Sequence, residues 1–544
     1  MNTQIWKHQW KWVEEIWPNQ EYGWKDGIYE PRKPVYRETE TDSSRYLEGR
    51  EEGMEIRSRV FTETEETGFG IYCYEDTAGL YIPCETKNAV ITAVFVNPTE
   101  EPYEAYIRAG KILKADHIRV MPGEEKEVSF MVCPIKEWVF VKFCVHSDAV
   151  LESQAVMKSL YLKKVDLEYA EKKEKRTKPV IYLASDSTVQ TYEPIFYPQT
   201  GWGEVFCRFF GTLTEERPCD SCSYPQARTY ETDRVIVENR SIGGRSSRSF
   251  YEEGKWDEIL EQICPGDYVF IQWGHNDNTA VRPNRYVPAA AFEPWLRLYV
   301  DGTRQRGGIC VLVTPVARYH FEKKADGSVR FLSDFEGYRQ VMIKVAEEEN
   351  LPLIDLTKRS LALCDRAGEE GAAAFFLRLE PGETDGHYRD GVTDSTHLQR
   401  YGALKFAQCV AQGILDSGQE ALKRLQSFVV LDETTRVPDQ EIRKAKRETS
   451  LVPTQFTYSE LQAAAGQATF LITFAGVDGA VGYRLYEKTE VGDRLIKRIG
   501  EQEKESLDAR AMAVPSGKTY TYYMTAVFPD GTESKKSREI SIEA

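Results

Sequence analysis

The segment "KPVIYLASDSTVQTYEP", Lys178 to Pro194, runs through β-formers from Val180 to Leu183 and then stops at Ser185-Asp186-Ser187-Thr188. A strand ending in an acid flanked by hydroxyls is either a capped turn or a nucleophile displayed at a sheet edge. A serine hydroxyl is almost wholly protonated near neutrality, so it attacks a carbonyl only when a base removes its proton. Histidine suits that task because its pKa lies near the working pH. In "GVTDSTHLQRYG", His397 follows Asp394 by three residues, and a carboxylate so close can hold the imidazole tautomer and stabilise the imidazolium. The attacked carbonyl becomes an oxyanion and needs preorganised donors. The Ser187 N–H, the Gly244 N–H of "NRSIGGRSSRS" and the Asn276 amide of "QWGHNDN" are the candidates. Losing one such donor typically removes roughly 3–4 kcal/mol of transition-state stabilisation. At Gly244 a side chain would obstruct the approach of substrate to the backbone.

These residues need a scaffold that brings distant segments together. Five near-continuous apolar runs, "VIYLAS", "RVIVEN", "DYVFIQWG", "ICVLVTPV" and "LPLIDL", alternate with helical patterns around "GWGEVFCRFFG", "FYEEGKWDEILEQI", "FEPWLRLYVDGTRQRG", "FEGYRQVMIKVAEEEN" and "RYGALKFAQCVAQGIL". That alternation predicts an α/β domain over 178–425, with a parallel five-stranded sheet covered on both faces. Ligands bind beyond the carboxyl ends of such strands. Ser187, Gly244 and Asn276 each follow one of them, and Asp394 and His397 precede the last helix.

Either side of this domain the pattern is β. Residues 1–175 combine an aromatic segment with a β-sandwich, compatible with a galactose-binding-like fold. In the first, Ile5, Trp6, Trp10, Val13 and Trp17 recur at near-helical spacing. Segments such as "NAVITAVFVN", "EVSFMVCPI" and "WVFVKFCV", separated by turn clusters, make up the second. "AEKKEKRTK" is a charged linker, and residues 450–544 read as a small sandwich resembling a fibronectin type III module.

The 544 residues carry a formal charge of −16, with 41% hydrophobic and 12% aromatic content. Such a chain folds, and its acidity argues against nucleic-acid binding, which needs clustered Lys and Arg. No apolar run is long enough for a membrane helix, and no secretory signal is visible, so a cytoplasmic location is expected. Eleven scattered cysteines read as reduced thiols, including the pair in "CDSC", Cys219 to Cys222. No metal-ligand cluster or phosphate loop occurs, so neither metal nor cofactor is expected. A homodimer is compatible with the sequence.

The series D-S-T, N-x-x-x-G-G-R-S, G-H-N-D and D-x-x-H resembles the four blocks of the SGNH (GDSL-like) hydrolases. "SDSTV", "TGWGEVF", "NRSIGGRSSRSF", "GHNDN", "VTPVAR" and "DSTHLQRYGA" are similar to the rhamnogalacturonan acetylesterase-type branch. The resemblance implies a three-layer α/β/α, flavodoxin-like fold and metal-independent serine esterase chemistry. It makes Ser187 the nucleophile, Asp394 and His397 the rest of a triad, and Gly244 and Asn276 members of the oxyanion hole. Asp186, His275 and Asp277 become supports, while Arg318, Trp202 and Trp273 are candidates for substrate contact. The family usually has Gly where this chain has Ser185. The expected substrate is an acetylated plant cell-wall oligosaccharide, pectic rhamnogalacturonan before xylan or mannan. Two alternatives are a lipid or thioester hydrolase built on the same blocks, and a non-catalytic carbohydrate-binding protein.

Overall fold

The computed structural model describes residues 78–145, 156–438 and 453–543, with short breaks (326–327, 380–383, 385–386, 465–466, 478–479, 490–491, 501–508, 516 and 529–532), and five short strands before residue 78. At its centre is a mixed sheet of seven strands. They are β1 (Val180–Ala184), β2 (Leu213–Pro218), β3 (Arg228–Thr232), β4 (Ile236–Asn239), β5 (Tyr268–Ile271), β6 (Ile309–Val313) and β7 (Leu353–Ile354), in the order β2-β3-β4-β1-β5-β6-β7. The five strands from β4 to β7 in that order are parallel. The expected five-strand sheet is therefore incomplete, because β3 and β2 extend it antiparallel at one edge. Strand β2 exposes nearly all its residues, "LTEERP", so it carries no apolar alternation. Charged residues on an outermost strand also discourage pairing with other chains.

Side-chain alternation builds the two cores. Ile181 and Leu183 of β1 join one apolar cluster, and Val180, Tyr182 and Ala184 join the other on the opposite face. The helix Phe292–Gln305 buries Phe292, Leu296, Tyr299, Val300 and Thr303, one stripe at helical spacing. The helix expected in "GWGEVFCRFFG" is instead two 3-10 turns, Trp202–Glu204 and Phe206–Phe210. Trp202, Val205, Phe206, Cys207, Phe209 and Phe210 are all buried there, more apolar positions than the single stripe of an amphipathic helix places against a core.

N-terminal to the central domain, two six-stranded sheets enclose a shared apolar cluster that includes Ile82, Ile91, Phe95, Val141 and Leu162. The aromatic segment departs from its near-helical spacing: Lys11–Ile16 is a strand pairing with Val35–Glu38 and Ala78–Pro83. Trp6, Trp10, Trp17 and Trp24 lie outside the described residues. Cys133 and Ile135 of this unit belong to the same cluster as Val180 and Trp256, so the two units share a core. Across that junction Lys114 Nζ lies 2.7 Å from Asp257 Oδ2, both side chains nearly buried. Removing one partner would strand the other charge, a loss of roughly 3–5 kcal/mol. At the C-terminal end, a three-stranded and a four-stranded sheet close on a cluster containing Phe470, Ile472, Leu485, Tyr522 and Met524.

Candidate active site

In the parallel part of the sheet the chain order reverses at β1, whose neighbours are β4 and β5. This is the switch point where open α/β sheets bind ligands. Ser187 sits in the turn after β1, where the Val189 and Gln190 N–H groups both donate to the Asp186 carbonyl. Asn276 follows β5 across the crevice. His397 and Asp394 lie on a short strand, Val392–Leu398, paired with Phe376–Leu379 and ending just before the helix Arg400–Leu415.

These segments converge. His397 Nδ1 lies 2.7 Å from Asp394 Oδ2, and its Nε2 lies 3.0 Å from Ser187 Oγ. Facing a carboxylate, Nδ1 donates, which leaves the Nε2 lone pair to accept the serine proton. Asp394 Oδ1 also accepts the N–H of Thr396 at 2.6 Å and of His397 at 2.9 Å. Burial alone would raise the pKa of this carboxyl. The hydrogen bond and charge of His397, with the two N–H donors, outweigh it and bring the pKa down to about 2.

Gly244 has φ +78°, a left-handed conformation that favours glycine, and its carbonyl accepts from Arg285 Nη1 at 3.1 Å. The Gly243 N–H donates to Gln190 Oε1, and a Cβ on Gly243 would lie 3.4 Å from the Ser187 Cβ. Asn276 Nδ2 donates to the Arg245 carbonyl at 2.8 Å, which uses one of its two protons and leaves the second available.

Beneath these groups lies a buried polar layer. Asp186 Oδ1 accepts the N–H and the hydroxyl of Thr188 at 2.9 and 2.8 Å. Its Oδ2 is 3.4 Å from His275 Nδ1, a close approach short of hydrogen-bond geometry. Burial works against this carboxylate, yet the His275 imidazole and the Thr188 donors hold its pKa below the ordinary value. His275 Nε2 faces the Val316 carbonyl at 3.0 Å and donates to it. Asp277 accepts the Ser247 N–H at 3.1 Å and the Gly274 N–H at 3.1 Å, tying its own loop to the start of the helix Ser247–Glu252. Burial pushes its carboxyl up to about 7, against the lowering effect of the Ser247 donors.

Ser185 belongs to this layer. Its Oγ donates to the Gln272 carbonyl at 2.7 Å and is only 1% exposed, so no substrate reaches it. Gln272 Nε2 reaches Thr188 Oγ1 at 2.8 Å, and Gln272 Oε1 accepts from Trp202 Nε1 at 3.0 Å. Trp202 and Trp273 are wholly buried, which corrects their candidacy for sugar stacking: neither ring has a free face. Trp273 packs instead on Phe250 and Tyr299. The Arg318 guanidinium lies 4.8 Å over the Phe335 ring, which also packs against His275. Two contributors carried no sequence signal: Gln272, and Tyr192, whose hydroxyl donates to the Ser187 carbonyl at 2.7 Å. Cys219 and Cys222 are free thiols, and burial pushes the Cys219 pKa up to about 12, far from a reactive thiolate. Among the described residues, no group of three or more His, Cys, Asp and Glu side chains converges as a metal site.

The profile of the GDSL-like lipase/acylhydrolase family matches residues 211–398, which take in Gly244, Asn276, Asp394 and His397 but not Ser187. A probable rhamnogalacturonan acetylesterase of Bacillus subtilis strain 168, YesY, is 39% identical over 239 residues, 44% of this chain and 93% of that protein. The rhamnogalacturonan acetylesterase RhgT of the same strain is 34% identical over 242 residues, 44% of this chain and 92% of its own length. With nearly the full length of such relatives matched, this chain belongs to the GDSL-like lipase/acylhydrolase family, resembles its rhamnogalacturonan acetylesterase-type branch, and is a serine carboxylic-ester hydrolase.

Proposed function

We propose that the protein is a carbohydrate O-acetylesterase acting on plant cell-wall oligosaccharides, with acetylated rhamnogalacturonan fragments favoured over xylan or mannan. In this reading His397 Nε2 takes the Ser187 proton as Oγ attacks the acetyl carbonyl. The developing oxyanion is met by the N–H groups of Ser187 and Gly244 and by the second Asn276 amide proton. Collapse expels the sugar hydroxyl, which receives the proton from His397 and leaves an acetyl-serine. A water activated by the same imidazole then releases acetate. Asp394 keeps Nδ1 protonated throughout. Arg318 is a candidate for contact with the sugar. The flanking β units are read as sandwich modules, the C-terminal one of fibronectin type III type.

The observation that carries this reading is the 3.0 Å approach of Ser187 Oγ to His397 Nε2, itself 2.7 Å on its far side from a carboxylate. The glycan class is supported by the names of the relatives. The test is acetate release from a panel of acetylated oligosaccharides by wild type and by Ser187→Ala. Full activity in the variant would overturn the nucleophile. Faster turnover of p-nitrophenyl octanoate than of the acetate would overturn the substrate class.

A further inference from the structure

Behind the loop that carries Tyr192 to Thr200 lies a cleft of about 860 Å³, walled on one side by the catalytic domain and on the other by Gly482–Arg484, Ile499 and Val527 of the C-terminal β unit. We infer that this cleft is a second carbohydrate site, which binds a uronate-bearing stretch of oligosaccharide away from the reaction centre. Its size is that of a ligand pocket, which spans roughly 300–1,000 Å³.

The lining has the composition sugar recognition uses. Ile195 and Tyr197 are 57% and 39% exposed and offer apolar surface to pyranose faces. Arg228, half-buried on β3, lines the cleft, and its guanidinium has no ion-pair or hydrogen-bond partner among the described residues. Arg400 is half-exposed and holds Glu204 only at 3.7 Å. By contrast Arg484 is already taken up by Glu533. Glu193 and Glu216, also lining the cleft, are exposed to water. In a chain of net charge −16, two under-used guanidinium groups beside an apolar surface form a local exception that a carboxylate would satisfy.

The cleft also abuts the reaction centre without entering it. Its wall segment pairs with the histidine strand through the Thr200 N–H on the Leu398 carbonyl at 3.0 Å, and touches the serine turn through Tyr192. The two relatives that spend 93% and 92% of their length in matching about 240 residues are too short to carry the cleft's outer wall as well.

The ligand class rests on the substrate reading above, whereas the cleft does not. The test uses the full chain carrying Ser187→Ala and measures binding of unacetylated trigalacturonate and of xylotriose by calorimetry. Trigalacturonate is expected to bind in a salt-sensitive way, xylotriose at least about tenfold more weakly, and adding Arg228→Gln should weaken trigalacturonate by about tenfold or more. Arg400→Gln serves the same purpose should Arg228→Gln fail to give a native circular dichroism spectrum. Absent binding, equal binding of the neutral trisaccharide, or indifference to both substitutions would overturn the proposal. Wild-type acetate release is scored separately. Its failure alongside Arg228-dependent binding would sink the reaction reading and leave the cleft standing.

Discussion

Asp394 and His397 stand at the rim of the sheet with side chains 26% and 31% exposed, whereas Asp186 and His275 lie beneath Ser187 at 0% and 3%. Both are aspartate–histidine pairs, and both carboxylates are held below their ordinary pKa. The rim pair makes tight, directional hydrogen bonds and points one imidazole nitrogen at a hydroxyl. Its buried counterpart makes a loose 3.4 Å contact and spends the other imidazole nitrogen on a backbone carbonyl. One residue combination thus serves two ends. Access to water and to the Ser187 hydroxyl fits the rim pair for the proton transfer proposed above, while burial fits the lower pair to clamp the serine turn.

Removing the rim groups should have the largest effect. Ser187→Ala and His397→Ala should each lower kcat on p-nitrophenyl acetate by a factor on the order of 10⁴ to 10⁶, with the melting temperature little changed. Equal losses from His275→Ala without loss of fold would erase the distinction. Next in size, Asp394→Asn should lower kcat by roughly 10³ to 10⁴, because the amide favours the wrong imidazole tautomer. Asp186→Asn should act mainly on stability, by about 2–4 kcal/mol in urea unfolding, since it removes a buried carboxylate from the Thr188 donors and His275.

How much of this could be read from the chain depended on where each signal came from. The strands that bear the site were legible because burial on both faces demands continuous apolar runs, as in β1 and β5. Ser187, Gly244, Asn276, Asp394 and His397 were legible because each follows a strand or precedes a helix in a recognisable block. The antiparallel edge was not, because a solvent-facing strand such as "LTEERP" has no apolar period. The Lys11–Ile16 strand was misread because tryptophans can repeat at helical spacing by accident, and pairing partners far along the chain decide the outcome. Trp202 and Trp273 are candidates for substrate contact in the sequence because side-chain burial has no local signature, and the structure buries both. Gln272 and Tyr192 act through long-range contacts across 70 or 84 residues and through a serine carbonyl, which spacing cannot reveal.

A smaller effect separates chemistry from support within one loop. Asn276 should contribute one donor to the oxyanion, so Asn276→Ala should lower kcat by roughly 10²- to 10³-fold with KM nearly unchanged. Since its other proton already braces the Arg245 carbonyl, part of any stability loss belongs to that contact. Comparing KM, kcat and melting temperature in the same variant sorts the two: a rise in KM with constant kcat would mean Asn276 only shapes the pocket.

The most delicate test lies in the lower layer, at Asp277. Its carboxyl is raised by burial to about 7, whereas in the unfolded chain it titrates at the usual value near 4. Between those two values the native state holds a proton that the unfolded state has lost. Stability from this group is therefore full at pH values below about 4 and is lost as pH rises through about 7, with a total on the order of 3–4 kcal/mol. Asp394 and Asp186 run the other way, because their pKa values are depressed: their contributions hold above about 4 and fade only as the medium becomes more acid. Asp277→Asn cannot titrate, so its loss of stability between pH 5 and pH 8 should be smaller than wild type's by a few kcal/mol, read from paired urea melts. The variant also exchanges an acceptor for a donor opposite the Gly274 N–H, which lowers its stability at every pH alike. Only the slope carries the titration. An unchanged slope would mean that Asp277 is ionised in the native protein, adding a second negative charge to that of Asp186 in the lower layer.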